Sequence, residues 1–414
     1  MLGAERPARE FPTPTAEGRP ASARYHEALM ALTRPAPTAP VEVSLSAVLF
    51  TVRRAAPQVL VIDAPSGPGG VASATAILEA APDVARLDAL PFGPLDPVHD
   101  ATLERGLLGW VRRQTGLELD WIEQLYTFGD QFRDPREMGG ARAVAVAYLA
   151  IVDAEQPLGR TGAHWGDIYE ILPWEDWRGG RPPVVADLIV PCLNDWVRSA
   201  SDAVARAARR ERTEIAFGLG KSAWDADRVL DRYELLYECG LLAEAHLDAA
   251  LRRAGGVALR YTPWLRLEAG RLLRPDLPLG AGAEIAGGSP LGRIAADSLL
   301  ALGRPMLHDH RRILATALGR LRGKLRYRPV VFELLPPAFT LSELQRVVES
   351  LTGQGLHAAN FRRLVDGSGL VEDTGQLAPT GGRPARRYRF RREVLKERRA
   401  PGLGLSRRPR YGGA

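Results

Sequence analysis

From residue 328 to residue 390 the hydrophobic pattern changes from helical to alternating, and glycines or prolines mark each break. Arg328-Pro329 opens a first helix carrying Val330, Val331, Leu334 and Leu335, because proline is tolerated in a first helical turn. Pro336-Pro337 ends it. Thr340-Leu341-Ser342-Glu343 has the form of a capping box, and Leu344, Val347, Val348 and Leu351 follow at helical spacing. Gly353 and Gly355 break this second helix. A third, from His357 to Ser368, turns Phe361, Leu364 and Val365 inward and Asn360, Arg362 and Arg363 outward. After Gly369, residues 370–372 form a strand, residues 375–382 a turn, and Tyr388-Arg389-Phe390 a return strand. Three helices followed by a hairpin make a winged helix-turn-helix. A helix entering a major groove needs this division between an apolar docking face and a face of long donors. The candidate contacts to double-stranded DNA are Thr340, His357, Asn360, Arg362 and Arg363, with Arg383, Arg386 and Arg387 at the return of the wing, where they would follow phosphates.

Charge distribution points the same way. The chain has 414 residues and uses arginine heavily with very little lysine, as in GC-rich coding, so the arginine total says little. Residues 304–399 hold roughly 20 basic against 9 acidic residues, about +11, while the chain before residue 304 sums to about −8. An acidic front half and a basic back half suit a sensor joined to a nucleic-acid binder. The length allows two or three domains. Cys192 and Cys239 are isolated, which argues against a disulfide framework or a zinc site. No apolar run is long enough to cross a bilayer, and the N-terminus lacks the apolar core of a signal peptide, so the expected location is cytoplasmic, away from membranes.

Residues 1–40 are rich in Pro, Ala and Gly without sustained period and are expected to be disordered, with a turn or two of helix at residues 25–32. Val43, Leu45, Ala47, Leu49 and Thr51 alternate as a strand, residues 53–58 turn, and residues 59–62 return. Residues 65–70 read as loop and residues 72–81 as a short helix. Asp100 is placed to cap a helix whose Leu103, Leu107, Leu108 and Val111 share a face, with Gly116 as its stop. Residues 121–128 and 143–152 read as strands joined by the polar loop 129–142, which makes an α+β domain over residues 41–177.

Within that domain, Leu90-Pro91-Phe92-Gly93, Thr115-Gly116-Leu117, Tyr126-Thr127-Phe128-Gly129-Asp130 and Arg133-Asp134-Pro135-Arg136 resemble the Nudix fold. The resemblance implies a box of carboxylates that hold divalent metals against a diphosphate. This chain departs from the box. With the register anchored on Gly116-Leu117, Leu95 and Ala101 stand where the box has Gly and Glu, Gly109 and Trp110 replace its Arg-Glu pair, and Arg113 and Gln114 replace its Glu-Glu pair. Asp96, Asp100 and Glu104 are the remaining acids, and no shift of a residue or two restores an adjacent pair. No catalytic residue, metal or cofactor is therefore expected.

The order of parts resembles the Nudix-related transcriptional regulators of NAD metabolism (NrtR-like), in which a degenerate Nudix domain precedes a winged helix. The likeness rests in front on residues 126–136 and on Ala145-Val146-Ala147-Tyr148-Leu149-Ala150. Behind, it rests on Arg320-Leu321-Arg322-Gly323-Lys324-Leu325, Asn360 to Arg363 and Gly381-Gly382-Arg383-Pro384-Ala385. It implies an effector domain that binds ADP-ribose or a related nucleotide and thereby releases DNA, and a homodimer. On that carry-over Arg133 and Arg136 are candidates for the diphosphate, Asp130 and Asp134 order the loop or meet a ribose, and Arg53 and Arg142 are secondary candidates.

His164-Trp165-Gly166-Asp167 leads into the close of the effector domain, with His164 read as structural. From Asp195 the pattern turns helical through residue 302, a segment expected to cover the sensor or form part of a dimer interface. The glycines of residues 280–292 lack the Lys-Ser or Lys-Thr of a P-loop. His308-Asp309-His310 is read as a helix cap rather than a metal cluster. The following helix buries Ile313, Leu314, Ala317, Leu318, Leu321 and Leu325, carries Arg311, Arg312, Arg320, Arg322 and Lys324, and offers a route for coupling.

The expected fold is thus α+β: a disordered segment (1–40), a Nudix-like α/β/α sandwich for the effector (41–185), a helical insertion (186–308), a connecting helix with the winged helix-turn-helix (309–399) and a disordered tail (400–414). The expected function is DNA-binding regulation, as a repressor of NAD-related genes. Two alternatives are a divergent metal-dependent nucleoside-diphosphate hydrolase with its metal site rebuilt from Asp96, Asp100 and Glu104, and a constitutive DNA-binding or architectural protein whose front domain has lost its ligand as well as its catalysis.

Overall fold

The computed structural model describes residues 41–63, 88–119, 122–129, 142–153, 155–245, 266–268, 271–273, 301–379, 384–397 and 401–405. The expectations for residues 1–40, 65–81 and 280–292 lie outside these residues.

Strand β1 (Val41–Arg53) is the spine of a seven-stranded mixed sheet. It pairs antiparallel with β2 (Ala56–Asp63) and parallel with β6 (Arg142–Ile151), with Val41 opposite Arg142 and Leu45 opposite Val146. The β1–β2 turn is tighter than the spacing predicts. Arg54 and Ala55 both take positive φ, 49° and 62°, and Arg53 already pairs with Ala56, so residues 56–58 belong to β2. Short β3 (Asp88–Ala89) and β7 (Ala163–Asp167) flank β2, β4 (Phe92–Pro94) pairs with β1, and β5 (Glu123–Phe128) forms the edge beyond β6.

Helix α1 (Leu103–Thr115) covers one face. Its Leu107 and Val111 pack on Leu45, Ala47, Leu49, Leu60, Val146 and Tyr148. Gly116 stops it with φ 78°, as expected, but the N-cap is Thr102, whose side chain accepts from the Arg105 amide. Asp100, predicted as the cap, instead accepts from the Asp96 amide at 2.8 Å.

The other face, with Val48, Phe50, Val59, Val61 and Ala147, meets a second helical layer. It starts with α2 (Ile168–Ile171) and a 3-10 turn (Pro173–Glu175). Helical structure resumes at Val185, ahead of the predicted Asp195, as a π-turn (Val185–Ile189) running into α3 (Val190–Arg198), where Pro191 fits the first turn. Next come α4 (Ala203–Phe217) and α5 (Val229–Glu238). A two-stranded ladder, β8 (Arg266–Glu268) with β9 (Arg271–Leu273), is described within the predicted insertion.

The connecting helix α6 (His310–Tyr327) packs along α5 and buries all six predicted apolar positions. Asp309 stands at its N-cap but its side chain makes no capping bond. His310 does structural work, its Nδ1 accepting from the Leu90 amide at 3.0 Å. The segment after α6 is a 3-10 turn (Val330–Leu334) rather than a full helix, since only five residues separate Pro329 from Leu335. Strand β10 (Phe339–Thr340) leads into α7 (Leu341–Thr352) and α8 (Ala358–Ser368), and then into β11 (Val371–Ala378), β12 (Ala385–Phe390) and α9 (Val394–Glu397). Strands β10, β12 and β11 form one small antiparallel sheet. The wing strands extend to Ala378 and back from Ala385, longer than predicted, with a register shift between Asp373 and Leu377.

A further correction concerns the C-terminal segment. Residues 401–405, expected to be disordered, return to the end of α6, where the Leu403 and Gly404 amides donate to the carbonyls of Leu325 and Arg326 and the Leu403 side chain is 1% exposed.

Candidate nucleic-acid interface and sensor face

Helix α7 is fixed at both ends. The Thr340 hydroxyl accepts from the Glu343 amide while the Glu343 carboxylate accepts from the Thr340 amide at 2.7 Å, which completes the capping box. Gly353 closes the helix at φ 68°. The turn to α8 is held by side chains of α7 that the sequence reading did not single out. Gln345 donates to the Leu356 carbonyl at 2.7 Å, and Glu349 accepts from the Leu356 amide at 2.8 Å. The turn and the start of α8 are thereby set by α7.

Helix α8 divides as predicted, with Phe361 and Val365 buried, Leu364 half-buried, and His357, Asn360, Arg362 and Arg363 exposed. Arg363 donates to the Asn360 side chain at 2.5 Å, a local pair that presents an amide and a guanidinium together. Among the described residues Arg362 has no side-chain partner, and its guanidinium faces solvent. Thr340 is not part of this face: it is 8% exposed and its hydroxyl is committed to the cap. On the wing, Arg386 is exposed and pairs with Asp373 at 2.8 Å, while Asp373 also accepts from the Gly375 amide. Those two contacts hold the Asp373 carboxylate below its ordinary range, the backbone amide contributing most. Arg387 is half-buried and donates to the Ala338 carbonyl at 3.4 Å, which turns it back toward β10. Arg389 pairs with Glu372 at 2.5 Å. Arg383 lies outside the described residues.

The basic residues of α6 are committed to partners within the fold. Arg311 and Arg322 are buried, the first facing Glu244 and the second Glu175. Arg312 pairs with Glu234, Lys324 with Glu123, and Arg326 with Asp227. A signal for this was present: Arg311, Ala315, Leu318, Arg322 and Leu325 follow one helical stripe, and an arginine on an apolar stripe requires a buried acid.

Of the candidate effector residues, Asp130, Arg133, Asp134 and Arg136 lie outside the described residues. Arg142 opens β6 opposite Val41. Arg53, exposed at the end of β1, has its guanidinium 6.0 Å from the Trp165 ring. The helix positions where the Nudix box has carboxylates are occupied by packing. Trp110 lies against Gly93 so closely that a Cβ there would fall 2.1 Å from the ring, and its indole donates to the Pro94 carbonyl at 2.9 Å. Gln114 bonds both the amide and the carbonyl of Phe92, at 3.0 and 2.8 Å, as a strand neighbour would. Arg113 stacks on Trp110 at 4.2 Å. Of the box-region acids, Asp96 closes its own turn on the Val98 and His99 amides, which lower its pKa, and Asp100 closes on the Asp96 amide. No cluster of three or more His, Cys, Asp or Glu suited to a metal occurs among the described residues.

The helix pair and three-stranded sheet define the C-terminal part as a winged helix-turn-helix. Residues 331–390 match the family described as the NrtR DNA-binding winged helix domain. A 90-residue stretch is 43% identical to the ADPR responsive transcriptional repressor NtrR of Acinetobacter baylyi, covering 22% of this chain and 36% of that relative. The matched part is thus about a third of that protein's length. Among solved structures, Shewanella oneidensis NrtR complexed with a 27mer DNA is 19% identical, with a TM-score of 0.42, covering 86% of this chain and 95% of that one. The NUDIX domain of Shewanella oneidensis NrtR complexed with ADP ribose is 24% identical, with a TM-score of 0.25, covering 34% of this chain and 84% of that one.

Proposed function

We propose that this chain is a DNA-binding transcriptional regulator, a repressor of NAD-related genes, which loses DNA affinity when its Nudix-like domain binds ADP-ribose or a related nucleotide. The observation that carries this reading is α8: a helix docked through Phe361 and Val365 presents Asn360, Arg362 and Arg363 to solvent, inside a segment that matches an NrtR DNA-binding domain. The name of the Acinetobacter relative supports ADP-ribose as the effector to try first. The regulator acts by binding rather than by hydrolysis. Trp110 and Gln114, packed on β4, and Arg113, stacked on Trp110, stand where the box would need carboxylates and support that side of the reading. It works as a homodimer, because paired half-sites add affinity and match a two-fold protein.

The test is a titration of the protein's own upstream DNA with and without a nucleotide panel. ADP-ribose should weaken DNA binding, and operator DNA should weaken ADP-ribose binding by the same factor. Arg362→Ala and Asn360→Ala should relax sequence preference, each by about 1–3 kcal/mol of discrimination. Arg386→Ala should instead weaken binding to every sequence and lower the salt slope by about 1. Equal losses on all sequences for the three variants would show that α8 does not read bases. Metal-dependent release of product from a nucleoside diphosphate sugar would overturn the non-enzymatic part.

A further inference from the structure

Arg322, 1% exposed on α6, brings four segments of the molecule together. A guanidinium has five N–H donors in a rigid plane, and all five find acceptors here. Nε donates to the Leu351 carbonyl at the end of α7, 3.1 Å away. One terminal nitrogen donates to the Glu175 carboxylate at 2.5 Å and to the Ala226 carbonyl, just before α5, at 3.0 Å. The other donates to the Glu175 carbonyl at 3.1 Å and reaches the Tyr169 hydroxyl at 3.5 Å. Glu175 and Tyr169 belong to the segment that leaves the sensor sheet directly after β7, whereas Leu351 belongs to the helix that positions α8.

Further bonds fasten that segment to the start of the α7–α8 turn. The Tyr169 hydroxyl donates to the Ser350 carbonyl at 2.6 Å, and the Trp177 amide donates to the Gly353 carbonyl at 2.7 Å. Gly353 lies so close that a Cβ would fall 2.3 Å from the Glu175 carbonyl and 2.7 Å from Arg322. A buried fork with every donor used tolerates little displacement of its acceptors, because each bond lost leaves an unpaired polar group in a dry interior. A shift of residues 168–177 is therefore passed to Leu351 and Gly353, and from them through the turn held by Gln345 and Glu349 to α8.

We propose that Arg322 is the positioning residue through which the sensor sets the angle of the recognition helix, with Tyr169 as its second contact. The proposal rests on the reading that nucleotide and DNA compete through this chain. It is tested in the full-length protein with Arg322→Lys, which keeps the charge beside Glu175 but loses the planar fork, and with the milder Tyr169→Phe. ADP-ribose affinity by calorimetry, and ligand-free DNA affinity by fluorescence anisotropy, should each stay within about twofold of wild type. The factor by which ADP-ribose weakens DNA binding should fall about tenfold in Arg322→Lys and severalfold in Tyr169→Phe. Amide hydrogen exchange of the ligand-free variants supplies a readout that needs no nucleotide. Residues 350–356 should exchange about tenfold faster while β1 and β2 keep their protection. A wild-type-sized nucleotide effect in both folded variants, or unchanged exchange at residues 350–356 in both, overturns the proposal. A wild-type protein whose DNA affinity ignores the nucleotide overturns the functional reading instead, and the exchange result then decides the role of Arg322 alone.

Discussion

Glu175 has no exposed surface, yet it is ionised. Burial alone would raise its pKa, but the guanidiniums of Arg232 and Arg322 outweigh that and hold it below the usual carboxylate range. Arg232 takes both carboxylate oxygens, at 2.5 and 2.8 Å, and its other terminal nitrogen donates to the Ala216 and Asp225 carbonyls. The same pocket pushes the Tyr169 hydroxyl up to about 12, chiefly by burial, so it stays protonated and can donate to Ser350. Removing one partner of such a group is more costly than the group is stabilising, because the opposite charges stay buried. Glu175→Gln should therefore lower unfolding stability by about 3–5 kcal/mol, measured by urea titration near neutral pH. The pH dependence follows from the sign of the shift. A carboxylate whose folded pKa lies below its unfolded value stabilises the fold above the unfolded pKa, and this contribution is lost as pH falls toward the folded one. Wild type should thus lose stability below the ordinary glutamate value of 4.5, and Glu175→Gln should show a shallower loss over that range.

Among the elements, the capping box of α7 is the clearest case of local sequence deciding local structure. Thr340→Ala removes the hydroxyl acceptor for the Glu343 amide and should cost about 1 kcal/mol, read as a lower melting temperature. A Thr340→Ser variant that melts like the alanine variant would show that the cap contributes nothing. What was legible in the sequence has this short range: the Thr340–Glu343 pair, the stops at Gly116, Gly353 and Gly369, and the inward and outward faces of α8 each depend on residues within a turn or two. Strand β10 escaped because its ladder partners, Arg387 and Tyr388, are remote in sequence and two residues carry no period. The acids that pair with the arginines of α6 went unread for the same reason, since Glu175, Glu244 and Glu234 reach them only through the fold. The α7–α8 turn shows both regimes: its glycines announced a break, but nothing in the spacing announced that Gln345 and Glu349 would hold the Leu356 backbone.

At the scale of the molecule, the seven-stranded sheet and the winged helix are not independent bodies joined by a linker. Val48, Phe50 and Val59 of the sheet belong to the same apolar core as Leu314 and Leu321 of α6, Leu344 and Val348 of α7 and Phe361 of α8. A shared core lets one domain bias the other without a separate hinge, because packed interiors switch between discrete arrangements rather than deform continuously. The returning segment of residues 401–405 adds a second tie. After α9 the chain places Leu403 in this core and uses the Leu403 and Gly404 amides to satisfy the Leu325 and Arg326 carbonyls, which α6 leaves open at its end. Gly402 is required for that approach, since a Cβ would fall 2.0 Å from the Arg326 carbonyl. Gly402→Ala should therefore lift the segment away and expose Leu403, at a cost of about 2–3 kcal/mol from lost apolar burial. The expected signs are a lower melting temperature and loss of exchange protection at the Leu403 and Gly404 amides, while the α8 face keeps its DNA contacts. Retained protection at those two amides would mean that the segment tolerates the methyl group and still holds the end of α6, so that Gly402 is not required for the approach.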